Sequence, residues 1–456
     1  MTGLWTLHRV AKAVGAKSSD DRAVRGISTD TRTVCAGDVF VALRGERFDG
    51  HAFLGDAVGK GAVAVVVDDG APAAGLGVPT FVVPDTLRAL GALGAYARTA
   101  WARPVIAVGG SNGKTTTKEL VRAALGSTLA VHATAGNLNN RIGVPQTLLA
   151  LPEAADIAVV EVGTNQPGEI AILRDIARPD IALITTVQEE HLEGFGDLAG
   201  VMAEEMSLCD GVALAVVPAA EPAVVARARA SAERIVTAGV SMGDVRADAW
   251  GLGAEGRAWL RLGDITVNVP APGAHNAANA MLAMAVARAC GVSDADAGRG
   301  IEAATFPPMR SAVSALGDAV LINDAYNSNP GSVRAALALL EAVGAGRPTV
   351  AILGTMRELG AQSDALHDDV ARATLASDVD LIGAIGEFAA AFERVAPGST
   401  RVVGAADPEL LWPRIESRID RRAAILLKAS RGVRLERLVP RLAVWAGVPL
   451  TGTGSH

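Results

Sequence analysis

Apolar residues in this chain fall into short dense runs separated by glycine, proline and acidic breakers. Runs at 39–43, 62–67 and 80–83 have the length and the valine-rich make-up of buried strands, with Gly- and Asp-rich turns between them. A helical stretch over 86–101 follows and leads to Pro104, where a new pattern begins. Up to about residue 102 the pattern therefore predicts a small α/β domain.

From Pro104 to about Pro308, runs at 105–108, 157–162, 181–187, 212–217 and 235–237 alternate with segments of helical period, and helical stretches at 274–290 and 293–303 close the block. Strands without a polar face, alternating with helices, predict a parallel sheet covered on both sides. After Arg310 the alternation resumes at 320–323, 350–353, 381–385, 402–403 and 425–427, with a helical stretch before each strand after the second. This predicts a second doubly wound unit. Residues 451–456 read as a loose tail.

Composition narrows the function classes. The chain carries 42 basic and 49 acidic residues, a net charge of −7, so it lacks the broad positive field of a nucleic-acid binder and must hold any anionic ligand at a local site. No apolar run approaches the roughly 18 residues of a membrane span, and the N-terminus, with His8, Arg9 and Lys12, has no signal-peptide core. A cytoplasmic location, with neither a nucleic-acid nor a membrane partner, is the expectation. Cys35, Cys209 and Cys290 are far apart, with no CxxC spacing and no adjacent His cluster, so neither a disulfide framework nor a zinc site is expected.

The most informative stretch runs from Val105 through Gly109-Gly110-Ser111-Asn112-Gly113-Lys114-Thr115-Thr116. A buried strand ends in a glycine turn, and a helix is predicted to start at Lys114. Such a turn lets successive backbone N–H groups converge on phosphate oxygens, and the helix N-terminus adds its positive dipole end. Lys114 is placed to reach terminal phosphates and Thr115 to ligate Mg²⁺ through its hydroxyl. The general GxxxxGK[ST] pattern is not met, since Val108 occupies the position of its first glycine. A nucleoside triphosphate is nevertheless the expected ligand. The fold class that follows is α/β in three domains: a smaller N-terminal α/β domain (1–102), a central P-loop-type parallel-sheet ATPase domain (103–308) and a C-terminal Rossmann-like domain (309–456).

This shortened loop resembles that of the Mur ligase superfamily, the ATP-dependent amide ligases that include the enzymes of peptidoglycan precursor synthesis. The resemblance covers almost the whole chain: Gly136-Asn137-Leu138-Asn139-Asn140, Glu161-x-Gly163, Pro167-Gly168-Glu169-Ile170, His191-Leu192-Glu193-Gly194-Phe195-Gly196, Gly273-x-His275-Asn276-x-x-Asn279, Asp324-Ala325-Tyr326-Asn327-x-Asn329-Pro330 and Lys428-x-Ser430-Arg431-Gly432 follow in order. The Asp324–Pro330 motif, with Ser28-Thr29-Asp30-Thr31-Arg32 and the stretch from Phe40 to His51, is similar to the branch that adds D-alanyl-D-alanine. The Asp-Asn-Pro-Arg motif of the branch that adds diaminopimelate is absent.

The resemblance implies a monomeric ligase that uses ATP and Mg²⁺ to join D-alanyl-D-alanine to UDP-N-acetylmuramoyl-tripeptide through an acyl phosphate, in cell-wall synthesis. Whether the third residue of the tripeptide is diaminopimelate or lysine stays open. The catalytic set is Lys114, Glu161 and His191. Gly110, Ser111, Asn112, Gly113, Lys114, Thr115, Thr116, Asn276, Asn279, Arg310 and Asp324 are implied at ATP, and Thr115, Glu161, His191 and Glu205 at Mg²⁺. Ser28, Thr29, Asp30, Arg32 and Arg44 are implied near the UDP-sugar diphosphate, and Asn137, Asn139 and Asn140 near the muramoyl group. Asn327, Asn329, Lys428, Ser430 and Arg431 would face the dipeptide or a closing interface.

Several alternatives stay open. The alternative for Glu161 is a solvated strand-end residue, for Arg310 an interdomain salt bridge, and for the asparagines turn caps. Glu205 stands where many of these ligases carry a lysine carbamate: it supplies the same charge type on a shorter arm, or else it is a solvated helical residue and the second metal site is weakened. Thr186, Pro218 and Thr355 also depart from the pattern. Two rival functions remain, a related ligase with another acceptor and a non-catalytic nucleotide-binding protein.

Overall fold

A computed structural model describes residues 3–45 and 48–448. Glu46 and Arg47 of the N-terminal motif, and the predicted tail at 451–456, lie outside the described residues. The chain divides into two compact units, one of residues 1–108, 129–164 and 168–182, the other of 109–128, 165–167 and 183–456.

In the first unit, the strands Ile27–Ser28, Val39–Val41, Ala64–Val67 and Thr80–Val82 form a four-stranded sheet in that order, all parallel. Both faces are buried, which is why the runs showed no alternation. Val39, Val41, Ala64 and Val66 pack with Leu90, Leu93 and Ala97 of the helix Thr86–Trp101. Phe40, Val65 and Val67 pack with Leu54 and Ala57 on the opposite face. Each valine, leucine or phenylalanine among them stabilises the fold by roughly 1.5–3 kcal/mol relative to exposure. Asp85 caps the helix, accepting the Leu87 and Arg88 N–H groups at 2.7 and 3.0 Å, and left-handed Ala102 ends it.

The same unit holds a parallel trio in which Val105–Val108 pairs with Ala158–Glu161, and Val131–Ala133 with Ile157–Val159. The three-residue strand Val131–Ala133 is only half-buried, too short and too polar to have stood out in the apolar pattern.

In the second unit, Leu214–Pro218, Ile235–Gly239 and Val245–Arg246 pair in parallel. The expected uninterrupted alternation then fails. Ala249–Leu252, Arg257–Leu262 and Ile265–Pro272 form an antiparallel three-stranded meander, its period-2 signal interrupted by Gly251, Gly253, Gly256 and Gly263. The helix Lys114–Gly126 packs on Ala274–Ala289 and Asp294–Glu302.

The C-terminal sheet has six strands in the order Ala312–Leu316, Ala319–Asp324, Ala424–Lys428, Thr349–Gly354, Leu381–Ile385, Val402–Ala405. Only the first pair is antiparallel. Among the described residues no helix is long and apolar enough to cross a membrane.

Candidate active site

The turn ahead of Lys114 has the backbone that its glycines demand. Gly110 (φ +113°) and Gly113 (φ +81°) are both left-handed, a region that favours glycine. A Cβ on Gly110 would press on the Thr185 hydroxyl and come within 2.8 Å of the Thr186 carbonyl. Gly113 forms the N-cap of the helix Lys114–Gly126 with no side-chain cap, which puts the turn at the positive end of the helix dipole.

The turn is stapled to the segment that follows the strand Ile181–Ile184. That strand ends three residues earlier than its apolar run suggests, and the freed residues do this work. Ser111 N–H donates to Thr186 O at 2.7 Å, Ser111 Oγ to Gln188 O at 3.1 Å, and Asn112 Nδ2 to Gln188 Oε1 at 2.8 Å. Asn112 and Asn329 exchange amide hydrogen bonds at 3.0 and 3.1 Å. Asn276 and Asn279 are buried, linked at 2.9 Å, and the Asn279 amide backs Gly113. Thr115 is buried at the start of the helix and Thr116 half-buried beside it. Thr186 Oγ1 and Val187 N–H both bind Glu221, while Thr355 Oγ1 accepts the Glu387 N–H at 3.1 Å.

Lys114 Nζ donates to the Gly110 and Ser111 carbonyls and lies 3.7 Å from Glu190 Oε1. Glu205 is not solvated: it is 1% exposed, and its Oε2 accepts the Gly110 N–H at 2.7 Å. Its Oε1 and both oxygens of buried Glu190 have no hydrogen-bond partner among the described residues. Burial pushes the Glu190 carboxyl up to about 7 against the pull of Lys114, with the charge of Glu205 adding to the rise. Burial likewise raises Glu205, opposed by Lys114 and the Gly110 N–H.

His191 stands in left-handed conformation (φ 50°). Its Nδ1 hydrogen-bonds Glu358 Oε2, and its Nε2 is 3.8 Å from Glu190 Oε2. Burial pulls the imidazole pKa down, but the Glu358 hydrogen bond and the Glu190 charge outweigh it and the net shift is upward. The bond to His191 holds Glu358 below the usual carboxylate range. Neither Glu190 nor Glu358 was singled out in the sequence. Glu190 adjoins His191 and was visible in principle; Glu358, 167 residues from its partner, was not.

In the first unit, Glu161 is 1% exposed, which removes the solvated alternative. Asn139 Nδ2 donates to its Oε1 at 2.9 Å, and its own N–H donates to Thr134 Oγ1 at 2.9 Å. Asn140 does cap a turn, accepting the Ile142 and Gly143 N–H groups; Asn137 is exposed. Thr29 Oγ1 accepts from Gln146 at 2.9 Å, Ser28 Oγ bonds Asp30 O, Arg32 pairs with Asp30, and Arg44 with Asp49 and Asp68.

Farther along the second unit, Lys428 and Asp324 form a buried ion pair at 2.7 Å, and Lys428 also donates to Asn327 O. Asn329 caps the helix Pro330–Val343. Arg310 lies over the Tyr326 ring, 4.0 Å from its centroid. Ser430 Oγ accepts the Arg357 N–H, and Arg431 approaches Met309 Sδ and Glu436.

Comparison with known proteins decides the family. The Mur ligase middle domain matches residues 108–287, the Mur ligase glutamate ligase domain 309–431 and the Mur ligase family catalytic domain 23–98. The chain belongs to the Mur ligase family. Among Mur ligases it is 33% identical to the UDP-N-acetylmuramoyl-tripeptide–D-alanyl-D-alanine ligase of Bacillus subtilis, over 93% of this chain and 94% of that one. It is also 33% identical to the enzyme of that name from Escherichia coli, over 94% and 96%. In three dimensions it matches a crystal structure of MurF from Acinetobacter baumannii with a TM-score of 0.86 at 32% identity, covering 96% of this chain and 99% of that one. MurF from Thermotoga maritima in complex with ADP matches at 0.81 and 26% identity, covering 93% and 98%.

Proposed function

We propose that this Mur ligase joins D-alanyl-D-alanine to UDP-N-acetylmuramoyl-tripeptide, consuming ATP with Mg²⁺ and producing the pentapeptide precursor of peptidoglycan. The observation that carries the reading is the glycine turn stapled in place ahead of Lys114, whose N–H groups and ammonium suit a polyphosphate. A carboxylate cannot expel oxide when an amine attacks it. Transfer of the γ-phosphoryl group to the terminal carboxylate of the tripeptide releases ADP and creates an acyl phosphate. The dipeptide amine then adds to the acyl carbon, phosphate leaves, and the amine loses its proton.

Lys114 and the turn N–H groups meet the charge that develops on the transferring phosphoryl oxygens. Asn276 and Asn279 hold the turn from behind, and Arg310 is proposed to reach phosphate and Asp324 ribose. The Thr115 hydroxyl, the His191 imidazole and the Glu205 carboxylate are hard donors that fit Mg²⁺, and the buried Glu205 oxygen with no hydrogen-bond partner among the described residues calls for a positive partner; Glu161 is proposed as a further carboxylate ligand. Mg²⁺, when bound, neutralises the phosphate oxygens. Among the described residues no three His, Cys, Asp or Glu side chains gather into a metal-holding group.

Residues 1–102 are proposed to bind the UDP-sugar, 103–308 ATP and 309–456 to complete the nucleotide and dipeptide contacts. A reaction fed by ATP and a nucleotide-linked sugar belongs in the cytoplasm. The test is phosphate release with UDP-muramoyl-tripeptide and D-alanyl-D-alanine, single amino acids or glutamate as acceptor, paired with calorimetry of Mg·ATP. Turnover is expected only with the dipeptide, and Lys114→Ala or Thr115→Ala should abolish Mg·ATP uptake; uptake that survives both changes overturns the reading.

A further inference from the structure

Glu358 is the residue whose role the reaction above leaves unassigned. It follows the strand Thr349–Gly354 and is left-handed at φ 66°, as His191 is at φ 50°. Such backbone in a non-glycine residue is strained and persists only where the surroundings enforce it. The surroundings here do. The Glu358 carbonyl accepts the Glu193 N–H at 3.1 Å, Gln362 Nε2 donates to Gly196 O at 2.9 Å, and Gly360 comes so near that a Cβ on it would lie 3.1 Å from Glu193 Cα. These contacts deliver the Glu358 carboxylate to His191 Nδ1.

A carboxylate accepts and never donates, so Nδ1 carries a hydrogen, and whenever the ring is neutral or bound to a cation its lone pair sits on Nε2. Nε2 in turn faces Glu190 Oε2 at 3.8 Å, one of two oxygens on that side chain with no hydrogen-bond partner among the described residues. A lone pair and an ionised carboxylate oxygen repel each other in a buried site unless a proton or another positive charge stands between them or beside them.

We infer that Glu358 is a positioning residue: it holds His191 as the Nδ1–H tautomer and aims Nε2 at the divalent cation that accompanies the nucleotide. It touches neither nucleotide nor peptide and acts only through the imidazole, as outer-shell carboxylates do for metal-binding histidines. The inference rests on the assignment of His191 as a cation ligand.

The experiment measures Mn²⁺ binding by electron paramagnetic resonance, with a non-hydrolysable ATP analogue and the full chain, for wild type, Glu358→Ala, Glu358→Gln and His191→Ala. Metal-free binding of the same analogue in EDTA is measured alongside. Glu358→Ala should weaken Mn²⁺ binding about ten- to a hundredfold. Glu358→Gln, whose amide oxygen still accepts from Nδ1, should stay within a few-fold of wild type, and metal-free binding should be unchanged in both. Mn²⁺ binding by Glu358→Ala at wild-type strength overturns the inference, as does an equal loss of metal-free binding, which would mark a simple closing contact. Should His191→Ala bind Mn²⁺ normally, the ligand assignment fails and the inference with it; a loss in His191→Ala alone sinks the inference and spares the assignment. Nitrogen-15 NMR of labelled histidine, recorded with Mg²⁺ and the analogue bound, reads the wild-type tautomer without any variant, and a neutral His191 with its hydrogen on Nε2 would also overturn the inference.

Discussion

The backbone N–H of Gly110 and the carboxylate of Glu205, 95 residues apart, are joined by a 2.7 Å hydrogen bond inside the second unit. One oxygen of Glu205 thereby supports the glycine turn, while the other is buried without a hydrogen-bond partner among the described residues. A single side chain thus couples turn geometry to local negative charge.

Separating those two roles gives the first prediction. In Glu205→Gln the amide oxygen still accepts from Gly110, so the melting temperature should change little, while turnover should fall at least about tenfold through loss of the charge. Added bicarbonate should have no effect on the wild type, because a glutamate needs no CO₂ to be a carboxylate. Wild-type turnover in the variant would defeat the assignment. Glu205→Ala, by contrast, strands a buried N–H and should cost about 1–3 kcal/mol in urea unfolding.

Gly110 should tolerate no side chain. Gly110→Ala meets the Thr185 hydroxyl and the Thr186 carbonyl and carries a strained φ, so it should lose roughly 2 kcal/mol of stability or more and most of its ATP affinity by calorimetry. Gly126→Ala, at the end of the same helix with open space around it, is the control. It should be neutral or stabilising by up to about 1 kcal/mol.

The Lys428–Asp324 pair, with side chains 3% and 14% exposed, should behave as a buried ion pair. Lys428→Ala leaves an uncompensated charge and should cost about 3–5 kcal/mol in chemical denaturation. Breaking the exposed Arg334–Asp369 pair, whose side chains are 45% and 58% exposed, should cost less than about 1 kcal/mol. Equal losses at the two sites would show that burial does not set their difference.

Glu190 sets a pH dependence. Its carboxyl is raised from 4.5 to about 7 in the fold, so below pH 4.5 it is protonated in both the folded and unfolded chain and costs nothing. As pH rises from 4.5 to about 7, the unfolded chain ionises first and the nucleotide-free fold loses stability, on the order of a few kcal/mol in total. Lys114, Glu205 and His191 face the same group, so the reading is the difference between wild type and Glu190→Gln. That difference should be small at pH 4.5 and favour the variant at pH 8; a pH-independent difference would contradict the buried-acid account.

The parts of the molecule legible in the sequence are those whose signal is local. Residues 64–67 and 105–108 read as buried strands because every position in them is apolar, and the helix start at Lys114 was legible because Gly113 precedes it. The meander at 249–272 was missed because glycines break its alternation, and the strand Ile181–Ile184 was drawn too long because Val187 continues its apolar run into the stapling segment.

The sequence by itself determined the α/β alternation, the glycine turn ahead of Lys114 and the order of the ligase motifs, because each depends on residues within a few positions of one another. Tertiary structure alone decided that Glu205 supports Gly110, that Glu190 is buried beside Lys114 and that Glu358 meets His191. Those pairings depend on where chain segments return after long excursions, and no local pattern records that. Only the packed interior, where an unpartnered charge is expensive, forces the distant side chains to be chosen together.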